Sequence, residues 1–425
     1  MRAIQLCLAL GMGLLSLPGV CSAQASRPAL RLPGEALILG AGGGGLYPVL
    51  VRGWREGRPL VTAPPGGKAL PEGKVLWLAS ASTGKEPPVS EEDCRVFFFQ
   101  AGEMTAHPAG GAGQGDYFLL EKTPFDASLT IPIVWLRAVI FPSRTRGWSE
   151  KELLSKAGKG QELLLVPAKR GFDRIPGFIF RFSAEGVHFA PGEEQEARLF
   201  PWKKVAAVLR GPDPEEPPPP LGKEFDTRLD FPRGGHFLVK VLGVDSRGVH
   251  VRLPWGEEPH CPWENLRGLL PPEKDRLFLS MVRPLKVEEV PFLGPGKPFL
   301  FRWKADRSCT GGPLLAGGRR WPLGLGVHSR TRLTFALGGK WSRFFTLAAV
   351  DDSALSLPVR GDAALRIYAD GKVLWERKSL QGGEGPVAVG PLDVSGAKEL
   401  TLEVDFGRSL HLGDRVDWIL PVLFR

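Results

Sequence analysis

The side-chain types best suited to chemistry stand close together between Gly324 and Asp352. This stretch holds His328 and two adjacent carboxylates, Asp351 and Asp352. A histidine near carboxylates could serve acid–base catalysis or bind a cation or another polar ligand. Neighbouring residues on a strand point to opposite faces, so Asp351 and Asp352 do not form the facing carboxyl pair that a glycosidase needs. We expect turn chemistry or a cation site there.

Histidines also recur further upstream in the chain. Gly186-Val187-His188 and Gly248-Val249-His250 occupy matching places in two similar segments. His236, His250 and His260 lack the tight spacing of metal ligands, and the first segment has no counterpart of His236 or His260. We therefore predict that His188 and His250 are solvent-facing strand residues.

Motifs for nucleophilic or phosphate chemistry are absent from the sequence. There is no Gly-x-Ser-x-Gly, no Gly-Lys-Ser/Thr loop and no His-Glu-x-x-His. A Cys309 nucleophile with His328 as its base is the arrangement that remains, set against an inert buried thiol, which we expect. We predict no catalytic residue.

The N-terminus has the pattern of an export signal. Arg2 precedes an apolar run, Pro18 and Gly19 break it, and Ala23-Gln24-Ala25 supplies small residues for cleavage. We predict a signal peptide over residues 1–25 and no membrane span after its cleavage. The mature protein would then be periplasmic, in the cell envelope or extracellular.

Composition favours many short elements joined by turns. The chain has 425 residues, with 54 glycines and 40 prolines, and 43% of its residues are hydrophobic. Its net charge of +9 is dispersed rather than gathered in a basic block. In an exported protein we therefore expect a carbohydrate or envelope polysaccharide as partner, and no nucleic acid.

The two similar segments read as repeated β units. Each has a hairpin closed by glycine, then Pro201-Trp202 or Pro262-Trp263, then an aliphatic strand. A third copy of the last piece follows Pro132, and the segment from Leu70 resembles a fourth. We predict small, strongly bent β-sheets or barrels. The predicted regions are β units over 26–145, repeat units over 146–210 and 231–289, and a proline-rich linker over 211–230.

The last third of the chain has the pattern of a two-sheet sandwich. Leu333, Phe335 and Leu337 alternate with other residues before a Gly-Gly turn, and Asp370-Gly371 is a strong hairpin signal. The fold class is therefore all-β, with the repeats followed by a jelly-roll-like β-sandwich over 290–425.

The sandwich segment resembles the NPCBM family of carbohydrate-binding modules. The motifs "GLGVHSRTRLTFALGGKWSRF", "AAVDD", "ADGKVLWE", "PLDVSGAKELTLEVDFG" and "GDRVDW" occur in the family's order. Arg415 stands where the family has a histidine. Repeats joined to such a module are similar in style to exported proteins of planctomycete-like bacteria.

The resemblance implies glycan binding, with calcium bound in some members. We predict His328, Asp351, Asp417 and Trp418 as ligand-binding residues, although a tryptophan that begins a terminal strand is more often core. The predicted function is an exported, non-enzymatic carbohydrate-binding protein whose repeats act as scaffold or contact a protein partner. The alternative is a secreted hydrolase with its active site in the repeats.

Overall fold

Regular structure is almost entirely β in the computed structural model, which describes residues 35–40, 46–70, 75–80, 90–110, 116–145, 147–192, 196–272, 274–292, 294, 301–408 and 410–425. The predicted signal peptide, residues 1–25, lies outside the described residues. Within them, no helix is both long and apolar enough to cross a membrane. The α-helix found there, α1 (Glu150–Leu154), starts at Ser149, which forms a capping box with Glu152.

The N-terminal part folds into four successive antiparallel units. Unit 1 contains β1 (Glu35–Gly40), β2 (Leu46–Arg55), β3 (Arg58–Thr62) and β4 (Val75–Ser80). Unit 2 contains β5 (Cys94–Phe98), β6 (Gly102–Gly110), β7 (Tyr117–Glu121), β8 (Leu129–Pro132) and β9 (Leu136–Ile140). Unit 3 contains β10 (Glu162–Pro167), β11 (Phe172–Phe182), β12 (Gly186–Ala190), β13 (Arg198–Pro201) and β14 (Ala207–Arg210). Unit 4 contains β15 (Thr227–Asp230), β16 (His236–Val244), β17 (Gly248–Arg252), β18 (His260–Pro262) and β19 (Gly268–Leu270).

Each unit closes on itself because its first strand pairs with its last. The closing pairs are β1–β4, β5–β9, β10–β14 and β15–β19. The register shifts within the long second strand of units 1, 3 and 4, where a bulge bends the strand so that it serves both sides of the barrel. The predicted all-β class and the small bent sheets are confirmed.

The repeated Pro-Trp motif has one structural task. In units 3 and 4 a 3₁₀-helix, Trp202–Lys204 or Trp263–Asn265, follows the proline and redirects the chain into the last strand. The indole Nε1 of Trp202 donates to the Ser183 carbonyl, and that of Trp263 to the Asp245 carbonyl, each at 3.0 Å. The motif therefore ties the end of each unit to its central hairpin.

Last strands also pair between units, which the repeat pattern did not predict. Strand β14 of unit 3 pairs antiparallel with β9 of unit 2, and β19 of unit 4 pairs with β4 of unit 1. A further bridge joins β16 to β6. Consequently the four units share one continuous hydrogen-bonded network of strands.

The C-terminal part is a two-sheet β-sandwich, as predicted. The first sheet has the order β22-β25-β32-β27-β30, with β20 also paired to β32, and the second has the order β21-β26-β31-β28-β29. Their bounds are β20 (Arg276–Phe278), β21 (Lys286–Glu289), β22 (Lys304–Ala305), β25 (Gly324–His328), β26 (Thr331–Ala336), β27 (Arg343–Val350), β28 (Asp362–Ala369), β29 (Lys372–Gln381), β30 (Val387–Asp393), β31 (Glu399–Phe406) and β32 (Arg415–Phe424). A separate hairpin consists of β23 (Leu314–Ala316) and β24 (Arg319–Trp321). The remaining 3₁₀-helices are Ile133–Trp135, Pro142–Arg144, Leu279–Met281 and Asp352–Ala354.

Strand pairing shifts two of the predicted boundaries. Strands β20 and β21 lie before residue 290, in a stretch predicted to belong to the last repeat, and they pair with sandwich strands β32 and β26. Strand β15, which begins at Thr227, opens unit 4 inside the predicted linker over 211–230.

The sandwich packs directly on the repeats through an apolar interface cluster. Its members come from unit 1, unit 4, the β23–β24 hairpin and the outer face of the first sandwich sheet, and they include Trp77, Leu270, Trp321, Phe345 and Ile419. The rings of Trp77 and Trp321 stack with their centroids 6.1 Å apart. Burial of such large rings ties repeats and sandwich together.

Candidate functional site

The four predicted ligand residues lie on the first sandwich sheet but in different surroundings. His328 ends β25, Asp351 follows β27, and Asp417 and Trp418 lie in β32 between those strands. All four side chains are buried. Only His328 belongs to a surface cluster of rings, whereas the other three lie inside the domain.

Trp418 is a core residue. It has no exposed surface and meets Trp375 edge-to-face, with the ring centroids 6.5 Å apart. A ring without an accessible face cannot stack on a sugar. This placement corrects the prediction that Trp418 is a ligand-binding residue.

Asp351 and Asp417 form a buried carboxyl pair. Asp417 pairs with Ala349, which lies two residues before Asp351, so the Asp351 and Asp417 side chains lie on the same side of neighbouring strands. Burial first, and then the nearby charge of Asp351, raise the pKa of Asp417 well above its usual range. Within the described residues, neither carboxyl oxygen of Asp417 has a hydrogen-bond partner. The pair therefore calls for a shared proton or a cation.

The adjacent Asp351 and Asp352 hold the β23–β24 hairpin. The amide of Leu315 donates to Asp351 Oδ2 at 2.9 Å, and the amide of Gly318 donates to Asp352 Oδ2 at 2.7 Å. Asp351 also caps the following 3₁₀-helix by accepting from the Ser353 amide. The turn chemistry expected for these two carboxylates is what the structure contains.

Cys309 lies close enough for the charges of Asp417 and Asp351 to act on it. Burial first, and then these two carboxyls, raise the pKa of its thiol to about 12. A thiol with so high a pKa supplies almost no thiolate at neutral pH. Cys309 is therefore a poor nucleophile.

One edge of the sandwich carries a cluster of stacked rings, which we call the edge cluster. His328 stacks on Phe301 with centroids 5.0 Å apart, and His411 stacks on Phe292 at 4.4 Å. The two histidine rings lie 6.4 Å apart. The edge cluster comprises Phe292, Phe301, His328, Phe406, His411 and Arg415.

Exposure and charge make the edge cluster the best candidate for a ligand. Phe292 is 39% exposed, and Leu410 and Leu412, which flank His411 in the sequence, are also exposed. Burial lowers the pKa of His328, so its ring is neutral at physiological pH. The guanidinium of Arg415 lies 5.7 Å from the centre of the Phe301 ring. Planar apolar faces beside a few fixed polar groups are typical of a small-molecule site.

Asp414 fixes the backbone behind the edge cluster. It accepts hydrogen bonds from the Ser329 hydroxyl at 2.7 Å and from the Asp362 amide at 3.0 Å. Burial raises the pKa of Asp414 to about 6. Arg415 donates to the Ser353 carbonyl and hydroxyl at 3.1 Å.

Sequence reasoning identified His328 but missed its neighbours in the edge cluster. Phe292, Phe301 and His411 lie in segments without strand periodicity, so no pattern assigned them a face. The available signal was the aromatic content of "PFLGPGKPFLF", in which residues 293 and 295–300 lie outside the described part of the chain.

A second candidate is a polar cleft of about 460 Å³ where units 2 and 4 meet the sandwich. Its lining is rich in arginines and carboxyls, including Arg95, Glu103, Arg228, Asp230 and Asp306. Arg228 donates to Asp230 at 2.7 Å, and Arg95 donates to Glu103 at 2.8 Å. These carboxyls are held in ion pairs.

Among the carboxyls of this cleft, Asp306 has the surroundings best suited to a general acid. Burial raises its pKa to about 6, and it accepts a hydrogen bond from the Gly324 amide at 3.0 Å. A carboxyl with a pKa near neutrality is suited to proton transfer. The cleft was not predicted, because its residues come from three parts of the chain.

Comparison with known proteins identifies the C-terminal domain. Residues 294–423 match the model of the NPCBM/NEW2 domain family. A protein of Renibacterium salmoninarum named "Putative endo-alpha-N-acetylgalactosaminidase" is 27% identical over 108 residues, which are 25% of this chain and 7% of that protein. The chain therefore spans only a small part of that relative's length.

Solved structures of CBM51 modules also align with the chain. One is the CBM51 module from Clostridium perfringens GH95 in complex with methyl-galactose, at 19% identity and a TM-score of 0.30, covering 35% of this chain and 99% of that one. Another contains CBM51-2 in complex with GlcNAc and INT domains from Clostridium perfringens ZmpB, at 18% identity and a TM-score of 0.31, covering 42% and 36%.

Proposed function

We propose that this protein is exported and binds carbohydrate through its C-terminal sandwich, while the repeat units act as the scaffold that presents it. The match of residues 294–423 to the NPCBM/NEW2 domain carries the proposal. The signal-like pattern of residues 1–25 supports export. An envelope polysaccharide or a secreted glycan is then the natural ligand.

The edge cluster is where we propose that the sugar binds. Sugars present apolar C–H faces that pack on aromatic rings and hydroxyls that bind fixed polar groups. Phe292 and Phe301 offer the rings, while His328, His411 and Arg415 offer polar atoms beside them.

A glycan array probed with the full chain tests this proposal. Phe301→Ala should weaken glycan binding by about fivefold, because one ring contact is worth on the order of 1 kcal/mol. Phe180→Ala is the matched control, since this ring is 65% exposed on unit 3, far from the sandwich in sequence. Failure of the full chain to bind any glycan at millimolar concentration would contradict the proposal.

Calcium, which the resemblance implies for some family members, would be held between Asp351 and Asp417. Carboxylate oxygens are the donors that calcium prefers, and the unpartnered oxygens of Asp417 fit such an ion. Bound calcium would neutralise the pair and tie β27 to β32. We expect calcium to raise the melting midpoint relative to a chelator, and Asp417→Asn to remove the difference. Equal midpoints for the wild-type chain would leave the pair with a shared proton instead.

A hydrolase is the second candidate function, and the raised pKa of Asp306 in the polar cleft favours it. Asp306 would act as a general acid there. A panel of glycoside and ester substrates with the full chain separates the two functions. Turnover that disappears in Asp306→Asn but persists in Asp393→Asn, a change at an exposed carboxylate, would establish the enzyme.

A further inference from the structure

Two histidines lie side by side on the surface of unit 4. His250 of β17 pairs across the strands with His260 of β18, and their ring centroids are 4.7 Å apart. Asp245, in the turn before β17, approaches both rings. Its Oδ2 lies 3.0 Å from His250 Nε2, and its Oδ1 lies 3.6 Å from His260 Nε2.

We propose that Asp245, His250 and His260 form a binding site for a divalent transition-metal ion of the zinc class. One ligand atom from each residue lies within 4.8 Å of the others. Tetrahedral zinc with bonds of about 2.0–2.1 Å places its ligand atoms roughly 3.3 Å apart. Asp245 Oδ2 lies 3.0 Å from His250 Nε2, close to that value, and a side-chain adjustment within the 4.8 Å cluster brings His260 Nε2 to the same separation.

The donor set selects the class of metal. Two imidazole nitrogens and one carboxylate oxygen suit zinc and neighbouring transition ions, whereas calcium and magnesium prefer all-oxygen sites. The side chain of Asp245 is 37% exposed and that of His250 is 43% exposed. A water molecule can therefore take the fourth position.

Surrounding groups orient the ligands as metal sites require. His260 Nδ1 lies 3.1 Å from Asp126 Oδ2, and a hydrogen bond donated there leaves the Nε2 lone pair facing Asp245 and His250. Within the described residues that Nε2 atom is buried without a hydrogen-bond partner. Asp245 Oδ1 accepts from the amides of Arg247 and Gly248, which leaves Oδ2 to bind the ion.

Unit 3 provides a natural control within the same chain. His188 occupies the position of His250, but its cross-strand partner is Leu199 in place of His260. Ser183 stands where unit 4 has Asp245, as the equivalent indole hydrogen bonds show. The repeated histidine is thus a strand residue in unit 3, as predicted. In unit 4 the prediction overlooked the register that brings His260 beside His250.

The metal would also join two units. Asp126 belongs to unit 2, and its amide donates to the His260 carbonyl at 3.0 Å. The Asn265 side chain of unit 4 donates to the Pro124 carbonyl of unit 2 at 2.8 Å. An ion held by His260 would therefore stabilise this contact as well as unit 4 itself.

Zinc titration of the metal-stripped full chain, by calorimetry and by metal analysis after dialysis, tests the proposal. We expect one tightly bound ion per chain. His250→Gln should weaken its binding at least tenfold, and the matched change His188→Gln should leave it unchanged. Asp126→Asn should weaken binding by about 10–100-fold through loss of the orienting hydrogen bond.

A second variant guards against a folding defect. Asp245→Ser with His260→Leu gives unit 4 the residues that unit 3 carries, so the barrel should tolerate them, with circular dichroism as the check. Loss of the ion from this folded variant supports the site. Two results would overturn the proposal. One is absence of zinc binding by the wild-type chain at micromolar concentration, and the other is an ion retained both by His250→Gln and by the double variant Asp245→Ser with His260→Leu.

Discussion

Units 3 and 4 have the same fold but different chemistry. Both consist of five strands closed first to last, and both fasten a Pro-Trp segment to the central hairpin by an indole hydrogen bond. Where unit 4 has two histidines and an aspartate, unit 3 has His188, Leu199 and Ser183. The residues that the repeats share therefore specify folding, while those that differ carry any chemistry.

The shared glycines show how strict the folding requirement is. A Cβ on Gly186 would stand 2.1 Å from the Phe200 carbonyl oxygen, and one on Gly248 would stand 2.1 Å from that of Cys261. Both contacts involve backbone, which cannot move aside. Glycine is thus required by the close approach of the hairpin to the strand before the Pro-Trp motif.

The largest expected effect tests the shared part of the comparison. Trp202→Ala and Trp263→Ala should each lower the free energy of unfolding by about 3–5 kcal/mol, because each removes a large buried ring and its hydrogen bond. Urea denaturation of the full chain measures both. A loss confined to one unit would mean that the motif is structural in that unit alone.

An intermediate effect is a pH-dependent contribution to stability that unit 4 has and unit 3 lacks. The second strand of unit 4 begins with His236, and that of unit 3 begins with Phe172. Burial first, and then the positive charges of Arg228 and Arg95, lower the pKa of His236 to about 3. The unfolded chain takes up a proton below pH ~6.5 that the folded chain refuses, so His236 reduces stability progressively as the pH falls from there toward 3.

Comparison with His236→Gln isolates this contribution. Between pH 7 and 5 the wild-type chain should lose about 1–2 kcal/mol more stability than the variant. The difference from the variant is the right quantity because Asp306, with its pKa raised to about 6, acts in the opposite direction. Parallel stability curves for the two proteins would show that His236 titrates normally.

The smallest expected effect concerns residue 261, where the units carry different side chains that all fill the same apolar position. Cys261 of unit 4 is fully buried where unit 3 has Phe200 and unit 2 has Ile131. Cys261→Val should change the free energy of unfolding by less than about 1.5 kcal/mol, since it exchanges one small apolar side chain for another. Urea denaturation measures the change. A larger loss would indicate that the thiol contact with the Pro124 carbonyl matters.

Local patterns predicted the elements well because strand alternation is a local property. Leu333, Phe335 and Leu337 are buried as their spacing indicated, and Asp370-Gly371 forms its hairpin with both φ angles positive. The repeat search found the Pro-Trp segments for the same reason. Each signal is contained in a few consecutive residues.

Features that depend on partners distant in sequence were not predictable in this way. Strand β32 is buried along nearly its whole length because one face meets the second sheet and the other meets the apolar interface cluster, so no alternation marks Trp418 as core. The His250–His260 pair depends on register between two strands. The edge cluster depends on loops whose sequence spacing fixes no direction.

The apolar interface cluster has a consequence for geometry. Trp77 of unit 1 and Leu270 of unit 4 share one core with Ile419 on the outer face of the first sandwich sheet. The C-terminal domain is consequently not tethered to the repeats by a flexible linker and does not reorient independently of them. Because the sandwich packs on the repeats, any surface that holds the repeats would also fix the direction in which the edge cluster faces. Attachment of the repeats and orientation of the candidate site are therefore coupled.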